Sequence, residues 1–120
     1  MPLMEAKRVA IIEDITPWQR VIAHHIEVAG HKVVDRARSL EEALALVKKL
    51  KALQVDIVTL DGNLTLGEGS GKEGRTILAE IRKNAPKVKI IGISGDPMPQ
   101  ADVDLRKENV RNLGDAIARL

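Results

Sequence analysis

A chain of 120 residues and 13.1 kDa has the size of one folding unit, so residues 1–120 are expected to form one domain, with no separate reader or anchor beside it. At 44% hydrophobic and 30% charged it carries apolar surface for a core and no bias towards a disordered tail, while a formal net charge of +2 is too weak a field to argue for nucleic acid or anionic lipid. The lack of cysteine removes disulfide scaffolds, thiolate zinc sites and cysteine nucleophiles and suits a reducing cytoplasm, and with Trp18 as the only aromatic residue there is no platform for stacked bases.

The apolar runs are strand-sized, too short for a membrane span, and no hydrophobic stretch of signal-peptide length follows Met1 to Arg8, so no signal peptide is expected. Val9 to Ile12, bounded by Lys7-Arg8 and Glu13-Asp14, reads as a strand buried on both faces. Thr16-Pro17-Trp18-Gln19 then supplies a hydroxyl, a proline and a Gln in the pattern of a capping box, predicting a helix that starts at Thr16. Trp18, Val21, Ile22, His25, Ile26 and Ala29 share one face of it, and Gly30 ends it. Lys32 to Ala37 is a second strand. Ser39 with Glu42 forms another capping box, opening a helix whose stripe of Leu40, Ala43, Leu44, Val47 and Leu50 runs into the cationic end Lys48-Lys49-Leu50-Lys51.

Asp56 to Leu60 is a third strand ending at Asp61. A glycine-rich loop over Gly62 to Gly71 precedes a helix over Glu73 to Lys83, with Pro86 beyond it. Lys87 to Ile93 is a fourth strand, Val103 to Arg106 a short fifth, and Val110, Leu113, Ile117 and Leu120 stripe a last helix that Asn109 is placed to cap. Strands alternating with helices imply parallel crossovers and a doubly wound α/β domain. One interval breaks the alternation: Gly95 to Ala101 holds seven residues, two of them prolines, so the fourth crossover helix should be absent or reduced to a turn.

In such sheets ligands bind outside the carboxyl ends of the strands. The first strand ends in Glu13-Asp14, the third in Asp61, the fourth in Ser94, and the fifth runs into Lys107. Three carboxylates brought together repel unless a cation sits among them, and hard oxygen donors with room for water and phosphate oxygens suit Mg²⁺. A hydroxyl at Ser94 and an ammonium at Lys107 would face an incoming phosphoryl group. The set reads as phosphoryl chemistry on a carboxylate.

These residues, together with Asn63 after Asp61 and Gly74 before the third helix, resemble the receiver domains of two-component response regulators over nearly the whole chain. The resemblance implies a five-stranded parallel sheet in the flavodoxin-like, CheY-like order 2-1-3-4-5. It implies Asp61 as phosphoacceptor, Mg²⁺ held by Asp14, Asp61 and the backbone carbonyl of Asn63 with Glu13 acting through water, Ser94 hydrogen-bonding the phosphoryl oxygen, and Lys107 pairing with Asp61 or its phosphate. The donor would be a phosphohistidine on a histidine kinase or histidine phosphotransfer protein. The output would be contact with a downstream protein rather than nucleic acid or membrane, from a stand-alone cytoplasmic switch that slowly hydrolyses its own acyl phosphate and is not a metabolic enzyme.

Departures accompany the likeness. The aromatic residue usual three positions before the lysine is Asp104 here, the usual following proline is Glu108, and Leu66 to Ser70 reads as an insertion able to act as a lid or docking element. The lost helix also alters the face on which many receivers form homodimers. A phosphorylation-independent pseudo-receiver is therefore the alternative. A haloacid-dehalogenase-like phosphatase needs a second acid two residues after its nucleophile, where Asn63 stands. Gly67 to Glu73 invites a P-loop reading but has Leu66 for the first glycine and Glu73 for the metal-binding hydroxyl. His24 and His25 point apart on their helix, Lys48, Lys49 and Lys51 read as a solvated helix end, and Trp18 reads as core packing near the acidic pair.

Overall fold

Val9 to Ile12 has no polar side chain on either face and is at most 1% exposed, so the strand that contains it must lie at the centre of a sheet covered on both sides. The computed structural model, which describes residues 5–64 and 71–120, places it there. In chain order the elements are β1 (Arg8–Ile12), α1 (Thr16–Val28), β2 (Lys32–Ala37), α2 (Leu40–Val47), β3 (Ile57–Leu60), α3 (Lys72–Asn84), β4 (Lys89–Gly92), β5 (Val103–Asp104), a 3₁₀ segment (Lys107–Asn112) and α4 (Leu113–Ala118). The five strands stand in the order β2-β1-β3-β4-β5, with neighbours parallel.

Alternate residues of each central strand feed two separate cores. Ala10, Ile12, Val58, Leu60 and Ile90 pack with Leu46, Leu50, Ile77 and Ile81 of the α2 and α3 side. Val9, Ile11, Ile57 and Ile91 pack with Ile22, Ile26, Leu113 and Ile117 of the α1 and α4 side. Register then sets the functional edge. Ile12 pairs with Leu60 and Leu60 with Gly92, so Glu13, Asp61 and Ile93 leave the sheet at one level.

Residues 93–102 contain turns and bends but no helix, as the two prolines predict. The chain is held by other means. Met98 is buried against Gly92, where a Cβ would lie 3.1 Å from its sulfur. The Asp102 carboxylate accepts from the Ile90 N–H at 2.7 Å and from Arg82 at 3.1 Å, and Arg82 also donates to the Gln100 carbonyl at 3.2 Å. A side chain and a carboxylate thus do the bridging a helix would do.

Gly30, at φ 90°, ends α1 with the expected reversal: its N–H reaches Glu27 O at 3.0 Å, and the His31 N–H reaches Ile26 O at 3.1 Å. The Ser39 hydroxyl caps α2 by accepting from the Glu42 N–H at 3.1 Å. Other details differ from the sequence reading. Thr16 does not cap α1, whose N-cap is Ile15. Its hydroxyl instead accepts from Arg38 at 3.2 Å, while the buried Gln19 amide donates to the Glu13 and Ala37 carbonyls at 2.8 and 3.2 Å, because those carbonyls at two strand ends need donors away from water. The buried face of α1 is correspondingly Gln19, Ile22, Ala23 and Ile26, leaving Trp18 only half-buried and Val21 exposed. Helix α2 stops at Val47, and turns carry the chain to Gln54 at φ 53°, although Leu50 remains buried. Asn109 does not cap the last helix; it lies inside the 3₁₀ segment, and α4 begins at Leu113.

Candidate functional site

The β1 edge delivers Glu13 and Asp14, and the β3 edge delivers Asp61. One carboxylate oxygen from each lies within 4.8 Å of the others. Glu13 is fully buried and Asp61 is 4% exposed. Lys107 enters from beyond β5, its backbone N–H bound to the Ser94 carbonyl at 3.0 Å. Its ammonium lies 3.1 Å from Glu13 Oε1 and 3.4 Å from Asp61 Oδ2. The residue before it, Arg106, has φ 69° and ψ 148°, a backbone region suited to glycine.

Burial pushes the Glu13 carboxyl up to about 8, with Asp14 and Asp61 adding to the shift. Burial also raises Asp61, against the lowering effect of its hydrogen bond with Glu13 and of the Lys107 charge. Burial works against the Lys107 ammonium, but the Asp61 and Glu13 carboxylates outweigh it and hold its pKa above the usual value. One ammonium does not neutralise three carboxyl groups. Asp14 Oδ1 is buried without a hydrogen bond, and Glu13 Oε1 has only the ion pair with Lys107. Orphaned carboxylate oxygens converging in this way fit a hard divalent cation, which takes oxygen donors.

Asn63 closes the loop that follows Asp61. Its N–H points to Asp61 Oδ1 at 3.4 Å, its Oδ1 accepts from the Gly71 N–H at 2.8 Å, and its Nδ2 reaches Asp96 at 3.4 Å. Glu73 accepts from the Leu64 N–H at 2.9 Å, so both ends of the loop are tied together. Leu66 to Ser70, read as an insertion, lie outside the described residues. Gly74 lies within α3 rather than before it, and lets the helix meet the β3 edge: a Cβ there would fall 2.6 Å from Gly62 Cα. Ser94 is 1% exposed, with its hydroxyl 3.0 Å from where a Gly62 Cβ would stand and 3.4 Å from the Asp96 N–H. A cavity of about 260 Å³ opens beside it, lined by Asn63, Arg75, Ser94 and Met98 among others.

The six residues expected at the site, Glu13, Asp14, Asp61, Asn63, Ser94 and Lys107, therefore share one edge of the sheet. The sequence reading set Trp18 near the acidic pair but packed in the core, and did not foresee its contact with Lys107. Its ring centroid lies 5.4 Å from Lys107 Nζ, which places it over the site rather than in the core. The available signal was its position one helical turn beyond Asp14. Asp104 is engaged in an ion pair with Arg106 at 3.3 Å.

The sequence profile described as the response regulator receiver domain matches residues 9–112. The chain belongs to that family. This receiver domain is 36% identical over 85 residues to the chemotaxis protein CheY of Thermotoga maritima, a match covering 71% of this chain and 64% of that protein, under two thirds of its length. It superposes on a CheY-like receiver domain protein from Methanospirillum hungatei with a TM-score of 0.76, at 23% identity over 96% of this chain and 93% of that one. It also superposes on a chain of the CheX–CheY–BeF3–Mg²⁺ complex from Borrelia burgdorferi, with a TM-score of 0.65 at 26% identity over 78% of this chain and 66% of that one. Among the described residues of the receiver domain, no helix is long and apolar enough to cross a membrane.

Proposed function

We propose that this receiver domain accepts a phosphoryl group on Asp61 from a phosphohistidine of a histidine kinase or phosphotransfer protein, in a Mg²⁺-dependent reaction, and signals by contact with a downstream protein. The observation that carries the reading is the buried meeting of Asp61 with Glu13, Asp14 and the Lys107 ammonium. Similarity to a chain from a complex that contains BeF3 and Mg²⁺ supports it. Asp14, Asp61 and the Asn63 carbonyl would hold Mg²⁺, with Glu13 acting through water. The ion would neutralise charge developing on phosphoryl oxygens.

The chain's own residues perform the transfer. An Asp61 oxygen forms a bond to phosphorus while the phosphorus–nitrogen bond of the donor breaks, and the electron pair stays with an imidazole nitrogen that takes up a proton. Lys107, already 3.4 Å from Asp61, turns its charge to the phosphoryl oxygens. The Ser94 hydroxyl, now beside Gly62, swings towards them to donate a hydrogen bond. Water later cleaves the acyl phosphate slowly, so the domain acts as a switch and not as a metabolic enzyme.

A phosphorylation-independent pseudo-receiver is the second reading. It is favoured by the ion pair of Asp104 with Arg106 and by the staples of Asp102 and Met98, which hold the helix-free connection in place. Asp61→Asn separates the two. Loss of labelling by acetyl phosphate in the variant, with labelling of the wild type, supports the phosphoacceptor; equal labelling of both removes Asp61 from the role.

A further inference from the structure

Trp18 is the only aromatic residue of the chain, and it is not part of either core. The first turn of α1 that carries it is fixed to the sheet edge by the Gln19 amide, which binds the carbonyls of Glu13 and Ala37, and by Arg38 on Thr16. This anchoring brings the indole over Lys107, 5.4 Å from Nζ to the ring centroid, while the lysine side chain keeps 18% exposure. The ammonium therefore feels three attractions: the Glu13 carboxyl, the Asp61 carboxyl and the ring face. A divalent cation among the carboxylates competes for the first two. The attraction of a ring quadrupole for a cation involves no carboxylate and survives that competition.

We propose that Trp18 is a positioning residue for Lys107: its ring holds the ammonium at the mouth of the carboxylate cluster, so that the lysine stays directed at Asp61 when a divalent cation engages the carboxylates. The proposal rests on the phosphoacceptor reading and adds a residue to it. The lysine side chain is only 18% exposed, and its partial removal from water strengthens its later attraction for phosphoryl oxygens. Phe keeps part of the interaction and Leu keeps none, so the two substitutions separate ring electrostatics from apolar packing.

The test compares the wild type, Trp18→Leu, Trp18→Phe, Lys107→Ala and the Trp18→Leu/Lys107→Ala double variant of the full chain in acetyl phosphate labelling at saturating Mg²⁺. Trp18→Leu is expected to slow labelling about tenfold, the fold-change of a partly desolvated cation–π contact, and Trp18→Phe to stay within about threefold of the wild type. Trp18→Leu should have no further effect once Lys107 is Ala. Wild-type rates in Trp18→Leu, or losses that multiply in the double variant, overturn the assignment. A second arm uses the wild type alone: the Lys107 Hε resonances should be shifted upfield by the indole ring current and stay shifted on Mg²⁺ saturation. Release of that shift by Mg²⁺ removes Trp18 from the role, whereas a wild type that keeps the shift but never labels removes the phosphoacceptor reading and, with it, the proposal.

Discussion

Lys107 reaches the fully buried carboxyl of Glu13 with its Nζ 3.1 Å from Oε1. Burial, with the neighbouring Asp14 and Asp61, pushes this carboxyl up to about 8. A folded carboxyl that holds its proton more tightly than the unfolded chain stabilises the fold fully below its ordinary value of 4.5, and that contribution is lost as pH rises through about 8. The metal-free protein should therefore lose stability between those two pH values. A divalent cation must displace the same proton, so its affinity should rise over the same window. Thermal unfolding against pH, with and without Mg²⁺, checks this. Glu13→Gln should flatten the metal-free slope, and an unchanged slope in that variant would assign the effect elsewhere.

Gly74 is a second test of how the site is held. Alanine usually favours a helix interior by about 1 kcal/mol over glycine, but here the added Cβ would fall 2.6 Å from Gly62 Cα and 3.2 Å from the Asp61 carbonyl oxygen, both backbone atoms. Gly74→Ala should cost roughly 1–3 kcal/mol in urea unfolding and weaken Mg²⁺ binding by displacing Asp61. A stabilised variant with unchanged Mg²⁺ affinity would contradict the close packing of α3 on the β3 edge.

Arg106 carries backbone strain next to the lysine. At φ 69° and ψ 148° it occupies a region that glycine enters freely and other residues enter at a cost of about 1–3 kcal/mol. Arg106→Gly should raise stability by roughly 1 kcal/mol, since its surface pair with Asp104 contributes little. A fall in stability would show that the arginine side chain matters more than its dihedral angles.

Asp102 stands in for the missing crossover helix. Asp102→Ala leaves the Ile90 N–H without its 2.7 Å partner and Arg82 with only its bond to the Gln100 carbonyl, at an expected cost of about 1–2 kcal/mol. Hydrogen exchange should accelerate at Ile90 and at the Leu105 amide, which pairs with Gly92 across the β5 edge. Unchanged exchange there would mean that Met98 and the remaining hydrogen bonds of the segment hold the connection without the carboxylate.

Much of this architecture was legible in the sequence because strands buried on both faces appear as runs with few or no polar residues: Val9 to Ile12 and Ile90 to Ile93 have none, and Ile57 to Leu60 has only the buried Thr59. The site was legible for a related reason: polar residues directly after those runs can only emerge at one edge of a parallel sheet. Features decided by tertiary hydrogen bonding were not legible. The pattern of Thr16 with Gln19 matches a local cap, yet the strand-end carbonyls of Glu13 and Ala37 recruit the glutamine and rotate Trp18 out of the core. Asn109 likewise has the chemistry of a cap but sits at a kink within the 3₁₀ segment, at φ −108° and ψ 17°.

Asp61 should capture phosphorus with the help of a divalent ion. Intact mass after exposure to acetyl phosphate tests it most directly. An adduct of about 80 Da, one phosphoryl group on an activated carboxylate, should appear with Mg²⁺, vanish on chelation and be missing from Asp61→Asn. Full incorporation without divalent metal, or no incorporation by the wild type under any metal condition, would contradict it.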